Sequence, residues 1–399
     1  MTTPHFIIPK EFQTKLRFVE AKDTRTDDEI LESLTKHVPI TSEKNVWSYW
    51  HSGVTNMPLW NCNNVIDWVR MLGPSWTVRV LDKVPNSPNH ALAWLKPEEL
   101  PESFTHDTMT GPYVGPHSAD FLRGAALYDY GGVWCDVGCI MLRDFDRICW
   151  TQLADEESPF TISTPWMLNQ HIANHFVAAR KGDPFIKRWH ELFMHFWKGR
   201  NDYSGIIESP LIGFVKDFNY AMSEARGFHW SFKVDPLVTL GYIGQVLSWI
   251  RIALLQEPDG FDGVEYAATK ILLYDSLTEC WMAEKTVGFK GQDFFDVLTT
   301  RLDADPESEE YKKAYRCVWT MLTEASMQKI THGKELVTEP ACGALLDLPE
   351  NKNRDYTGTF ADLLRYGSVH FEQKRESIDY VKAIRPSEKH IIHKGLTEA

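Results

Sequence analysis

GPYVGPHSADFLRGAALYDYGGVWCDVGCIMLRDFDR, residues 111 to 147, is the stretch that decides the fold. Ser118 follows a proline-bearing loop and is placed to cap a helix with Phe121, Leu122, Ala125, Ala126 and Tyr128 as its apolar surface. Gly131-Gly132 ends that helix, because glycine enters the left-handed cap conformation at little cost. Val133-Trp134-Cys135 then reads as a strand that carries Asp136 at its carboxyl end, with Gly138 and Cys139 just beyond. In open α/β sheets, ligands bind at that edge.

Upstream, Asn45 to His51 has the aromatic and β-branched content of a strand and ends at Gly53. LWNCNNVIDWVRMLG places Val65, Trp68, Val69 and Leu72 at helical spacing and stops at Gly73-Pro74. Thr77 to Leu81 is a second strand, so the three form a βαβ unit with a right-handed parallel crossover. Downstream, Phe160 to Ser163 and Phe176 to Ala179 read as strands and Pro184 to Trp197 as a helix. Residues 201–220 read as a loop containing Glu208-Ser209-Pro210, and 237–256 as a buried helix interrupted by Thr239, Gln245, Ser248 and Arg251. An acidic stretch, 294–310, leads to a helix around Tyr311 to Met327, and the remainder is a mixed tail.

The 399 residues carry 42 Lys and Arg against 55 Asp and Glu, a net charge of −13, so any polyanion must find a local basic patch. Arg180, Lys181, Lys187 and Arg188 are the best such patch. Seven cysteines, odd in number and with no C-x-x-C pair, argue against a disulfide framework and a structural zinc site. The charged N-terminal stretch reads as neither a signal peptide nor a membrane anchor, which makes the cytoplasm the expected location, with no membrane partner.

Asp136 leads the candidate site, because a carboxylate at the tip of an apolar strand needs a metal, a cation or hydrogen-bond donors to offset desolvation. Asp120 and Arg123 share one face of the preceding helix, as a pocket-building pair or a plain surface pair. His117 and Ser118 stand at its entrance, where free N–H groups favour an anion. Trp47, Trp50 and His51 end the first strand, as stacking faces and a titratable ring or as core. Gln170, His171, Asn174 and His175 are expected to form a polar wall of the site, ahead of the 176–179 strand.

The block HSADFLRGAALYDYGGVWCDVGCIML, 117–142, resembles the S-D-x-x-R…L-Y-x-x-G-G-x-x-x-D core of GT-A glycosyltransferases, in particular the capsular-polysaccharide-synthesis-like family and the related mannosyltransferase-like family. VWSYWHSG, LGPSWTVRVLD, RDFDRICW and AARKGDPFIKRWHELFMHFWKGR are similar to fungal members, so the likeness spans roughly 40–300. It implies an α/β fold: a GT-A-like, Rossmann-type mixed sheet flanked by helices, with additional C-terminal helices. The expected division is a peripheral N-terminal helix over 1–40, a catalytic domain over 41–300 and a helical extension and tail over 301–399. Ser118, Asp120 and Arg123 match the nucleotide-contacting helix, and Asp136 the first aspartate of the Asp-x-Asp metal motif. Gly138 stands where the second aspartate belongs, and hard divalent cations prefer several oxygen ligands, so no metal or a weakly held one is expected at Asp136.

Two activities follow from the resemblance. The preferred one is a tRNA-dependent synthase of arginine-containing cyclodipeptides, without a cofactor, taking aminoacyl-tRNAs that include arginyl-tRNA. Asp136 then pairs with the arginine guanidinium, Trp47 or Trp50 stacks on it, and His51, His117 or His171 deprotonates the attacking amine. The basic patch at Arg180, Lys181, Lys187 and Arg188 takes the tRNA. The alternative is a nucleotide-sugar glycosyltransferase using Mn²⁺ or Mg²⁺ at Asp136, with Asp120 or Glu208 supporting the acceptor or the leaving group.

Overall fold

The computed structural model of the protein describes residues 5–217, 224–225, 232–258, 260–333 and 336–399. Residues 218–220 of the expected 201–220 loop lie outside them. The strands are Leu16–Phe18 (β1), Asn45–Tyr49 (β2), Thr77–Leu81 (β3), Gly132–Cys135 (β4), Cys139–Met141 (β5), Ile162–Met167 (β6), His171–Ile172 (β7), Phe176–Ala179 (β8), Ile271–Asp275 (β9), Met327–Lys329 (β10), Phe371–Gln373 (β11) and Tyr380–Val381 (β12). One mixed sheet runs β12-β9-β6-β8-β4-β2-β3, with β7 paired to β6. β2 is parallel to both β3 and β4, whereas β8 is antiparallel to β4 and to β6.

The helices that matter here are Asp27–Leu34 (α1), Leu59–Leu72 (α2), Val114–Tyr130 (α3), Pro184–Trp197 (α4), Gly244–Ala253 (α5), Glu309–Glu324 (α6) and Phe360–His370 (α7). Every residue of β2 and of β4 is buried, the pattern of strands covered on both faces. Alternation sends Val46, Val133 and Cys135 into one layer with α1 and α2, and Trp47 and Trp134 into the other with α3, α4 and α5. This is the mixed sheet flanked by helices that the motifs imply. A third apolar cluster joins Ile8 and Leu16 to α6 and α7, from opposite ends of the chain.

Several local expectations change. The Ser118 helix begins one turn earlier, at Val114, and Ser118 is not its cap: its hydroxyl donates to the Val114 carbonyl at 2.7 Å inside the helix. Pro116 permits this because it falls in the first turn, where N–H groups lack intrahelical partners. The 237–256 helix is broken into Pro236–Tyr242 and α5. The acidic stretch holds a helix, Gly291–Thr299, that buries Phe294, Val297 and Leu298, and Met327 lies in a strand.

Boundaries at 40 and 300 cut across hydrogen-bonded pairings. β1 pairs with β11, β10 with β5, and β12 with β9, so both terminal regions are built into the body. Among the described residues, no helix is long and apolar enough to cross a membrane.

Gly131 and Gly132, at φ +68° and +103°, make the turn from α3 into β4. A Cβ on Gly132 would stand 2.3 Å from the Asn45 carbonyl oxygen, at the start of the neighbouring strand. Gly132→Ala is therefore expected to destabilise the protein by roughly 2–4 kcal/mol, read as a lower thermal midpoint, because strain and overlap act together.

Candidate active site

β4 ends at Cys135, and the next residue leaves the sheet at the carboxyl edge of the parallel strands with its backbone N–H donated to the His175 carbonyl at 2.9 Å. That residue is Asp136. Its Oδ1 accepts the Trp134 indole N–H at 3.0 Å and an Arg123 guanidinium N–H at 3.2 Å, and its Oδ2 accepts from Lys329 Nζ at 2.8 Å. The side chain keeps 27 % exposure, so it is held by these donors without being sealed from solvent. Burial acts to raise its pKa, but Lys329 and Arg123 outweigh burial and hold the carboxyl well below the usual range. The same pairing overcomes the burial of Lys329 and keeps that amine above its ordinary value.

Behind Asp136 lies a buried polar network. Arg123 also donates to Asp120 Oδ1 and to Gln245 Oε1, and its guanidinium lies over the Trp134 ring at 5.2 Å. Asn174 Nδ2 donates to Asp120 Oδ1 at 3.2 Å and to Gln245 Oε1 at 3.0 Å, and Gln245 Nε2 returns a bond to the Asp120 carbonyl. Three elements, α3, α5 and the turn before β8, are thereby tied to the Asp136 edge. His117 sits beside this network, 2 % exposed, with Nδ1 at 3.5 Å from Asp120 Oδ2 and with Tyr113, Trp197, Tyr203 and Tyr242 around its ring. Burial, with Asp120 and Asp136 adding to it, pushes the Tyr242 phenol upward. Burial and Lys329 push His175 down to about 3, so it is neutral at physiological pH.

Asp120, Arg123, Asn174 and Asp136 thus meet in one place. Other expected site residues do not join them. Trp47 is fully buried, gives its indole N–H to the Gly131 carbonyl at 3.0 Å and stacks on Tyr130, so it is core rather than a ligand platform. Trp50 is half-buried against the α2 layer, and exposed His51 contacts the Tyr49 hydroxyl through Nδ1 at 3.1 Å. His171, lowered by burial, uses Nδ1 on the Ile172 carbonyl, and half-buried Gln170 lines a separate cavity with Trp249 and Arg385. Exposed Glu208 lies on the loop before the Pro210–Asp217 turn and is not bonded to this network.

The two arginines of the basic patch are paired within the fold. Arg180 binds Glu43, whose carboxylate also takes the Lys181 backbone N–H, Lys187 pairs with Glu191, and Arg188 pairs with Glu257. Lys329 and Gln245 are the members that sequence reasoning missed. Gln245 left a trace as a polar interruption of an apolar helix. Lys329, 193 residues from Asp136, left none.

Asp136 already serves two cationic side chains, and among the described residues no group of three or more His, Cys, Asp or Glu side chains is placed to hold a metal.

A family profile described as "Capsular polysaccharide synthesis protein" matches residues 10–206. "Probable glycosyltransferase FCK3" of Fusarium pseudograminearum is 49 % identical over 397 residues, 99 % of this chain and 100 % of its own length. The chain belongs to the capsular-polysaccharide-synthesis-like glycosyltransferase family. "O-glycosyltransferase braB" of Annulohypoxylon truncatum is 35 % identical, over 96 % of this chain and 93 % of its own. "Glycosyltransferase afumC" of Aspergillus fumigatus is 35 % identical, over 94 % and 96 %.

These relatives overturn the preferred sequence reading. They are glycosyltransferases by name and match this family member from end to end, so cyclodipeptide synthesis from arginyl-tRNA and other aminoacyl-tRNAs is set aside. Pairing of Arg180 with Glu43 and of Arg188 with Glu257 weakens the surface expected to take tRNA, and Asp136 meets the protein's own arginine, Arg123.

Because the folded-state pKa of Asp136 is depressed, its contribution to stability is complete above the ordinary carboxylate value of about 4 and is lost as the pH falls toward the folded-state value. Asp136→Asn is therefore expected to lower the thermal midpoint at pH 7, with a gap to the parent that narrows below about pH 4. Gln245→Leu is expected to cost about 1–3 kcal/mol for each donor it strands, on Arg123 and Asn174, measured by denaturant unfolding.

Proposed function

We propose that the protein transfers a sugar from a nucleotide-sugar donor to a hydroxyl group of an acceptor. Asp136 carries this reading: it stands at the motif's first-aspartate position, ionised and partly open, at the sheet edge where α/β folds bind nucleotides. Family membership supports sugar transfer, and the name of the braB relative supports an oxygen acceptor. The Arg123, Asp120, Asn174 and Gln245 network acts as a positioning layer that fixes the Asp136 carboxylate before substrate arrives. In the transfer, the acceptor oxygen forms a bond to the anomeric carbon and its proton leaves to water. The bond from that carbon to the donor diphosphate breaks, and the electron pair stays on the departing nucleoside diphosphate.

The test is a panel of UDP-, GDP- and ADP-sugars with small hydroxylated acceptors, read as nucleoside diphosphate release and as a product heavier by one sugar residue. One donor is expected to stand out, and Asp136→Asn is expected to lower kcat by about 10²–10³-fold with that donor. Unchanged turnover in Asp136→Asn, or no release with any donor, overturns the reading.

A further inference from the structure

The Asp-x-Asp motif exists to hold a divalent cation on the donor diphosphate, and here its second carboxylate is replaced by Gly138. The replacement is not a simple deletion. A Cβ built on Gly138 would stand 2.7 Å from the Ile330 carbonyl oxygen, closer than a real Cβ approaches any atom. That oxygen belongs to the chain leaving β10, which is anchored here because the Ile330 N–H donates to the Gly138 carbonyl at 2.8 Å. An aspartate at 138 therefore cannot be accommodated unless β10 moves.

The segment that fills this space also brings a charge to it. Lys329 Nζ is 2.8 Å from Asp136 Oδ2 and would be 3.5 Å from a Cβ at 138, so the ammonium occupies the gap between the two motif positions. The geometry points to Lys329 as a built-in cation: it replaces the divalent metal of the motif and carries the charge of the donor diphosphate, in a sugar transfer that needs no metal.

Rigidity supports the assignment. Lys329 pairs with Cys139 in the β10–β5 ladder, and its backbone N–H donates to the Cys280 carbonyl at 2.8 Å. Neighbouring Gln328 accepts the Ala283 N–H, and Ser326 bonds Glu279, which is itself held by Arg375. The side chain is 14 % exposed, beside an Asp136 carboxylate that is 27 % exposed. An ammonium has three N–H donors, and Asp136 is its one hydrogen-bond acceptor among the described residues, which leaves two for phosphate oxygens. A divalent ion on Asp136 Oδ2 would lie against this ammonium, and like charges at that separation repel strongly in a partly buried site.

The proposal rests on the glycosyl-transfer reading. As the anomeric carbon–oxygen bond breaks, the electron pair stays on the diphosphate oxygen, and Lys329 stabilises the charge that develops there. The acceptor's proton leaves to water as before. Nothing is oxidised or reduced.

The experiment uses the full chain with the donor that supports transfer, assayed after exhaustive chelation and again with added Mn²⁺ or Mg²⁺. Wild-type turnover is expected to change less than twofold between these conditions. Loss of wild-type turnover on chelation with recovery on adding Mn²⁺ overturns the built-in cation and leaves sugar transfer standing. Absence of transfer with every donor, with and without metal, overturns both. Lys329→Ala is expected to lose about 10²–10³-fold in kcat and to bind UDP, GDP or ADP, whichever matches the donor, at least tenfold more weakly by calorimetry. Lys329→Arg, which keeps the charge, is expected to recover at least tenfold of that loss. Nucleotide affinity and kcat both within twofold of wild type in Lys329→Ala overturn the proposal. Because chelation is tested on the unaltered protein, it decides the question even where a variant fails to fold.

Discussion

Asp136 is held by two cations from distant parts of the chain, Arg123 on α3 and Lys329 on β10, and much of the architecture serves to bring them to it. A partly buried carboxylate alone would take up a proton at the expense of its charge. With both partners in place it stays ionised, faces the sheet edge and cannot rotate freely. Each partner is itself braced: Arg123 by Asp120 and Gln245, and Lys329 by a strand hydrogen-bonded on both sides. The polar centre is thus a satisfied network over most of its extent, the condition under which buried charges can be tolerated.

That arrangement explains why the C-terminal hundred residues matter. β10 follows α6, whose buried face packs with α7 and with Ile8 and Leu16 from the other end of the chain. The cluster acts as a clamp that sets β10 against β5. Without it, the first half of the chain would present Asp136 and Arg123 with an open gap at Gly138. The family profile covers 10–206, and the residue that completes the site comes from outside that span, so the site is finished by tertiary pairing across the whole length of the protein.

The reach of sequence reasoning differed from residue to residue. The βαβ unit, the helix ending at Gly131 and the strand ending at Cys135 were legible, because buried parallel strands and glycine stops leave strong local patterns. Ser118 misled because a serine after proline looks like a cap, and here Pro116 lies inside the helix's first turn instead of preceding the helix. The basic cluster from Arg180 to Arg188 looked like a polyanion surface because its acidic partners, Glu43 and Glu257, are remote in sequence. Trp47 looked like a stacking face, but an indole at a strand end can equally point inward, and this one does.

The sequence by itself determined the class of fold, the place of Asp136 at the sheet edge and the loss of a second motif carboxylate, since each depends on residues within a few turns of one another. What stands in place of that carboxylate was decided only by the tertiary structure. Lys329 lies in an unremarkable strand 193 residues from Asp136, and no periodicity or spacing links the two. They meet because β10 pairs with β5 in one register, and a shift of one residue would turn the lysine to the opposite face.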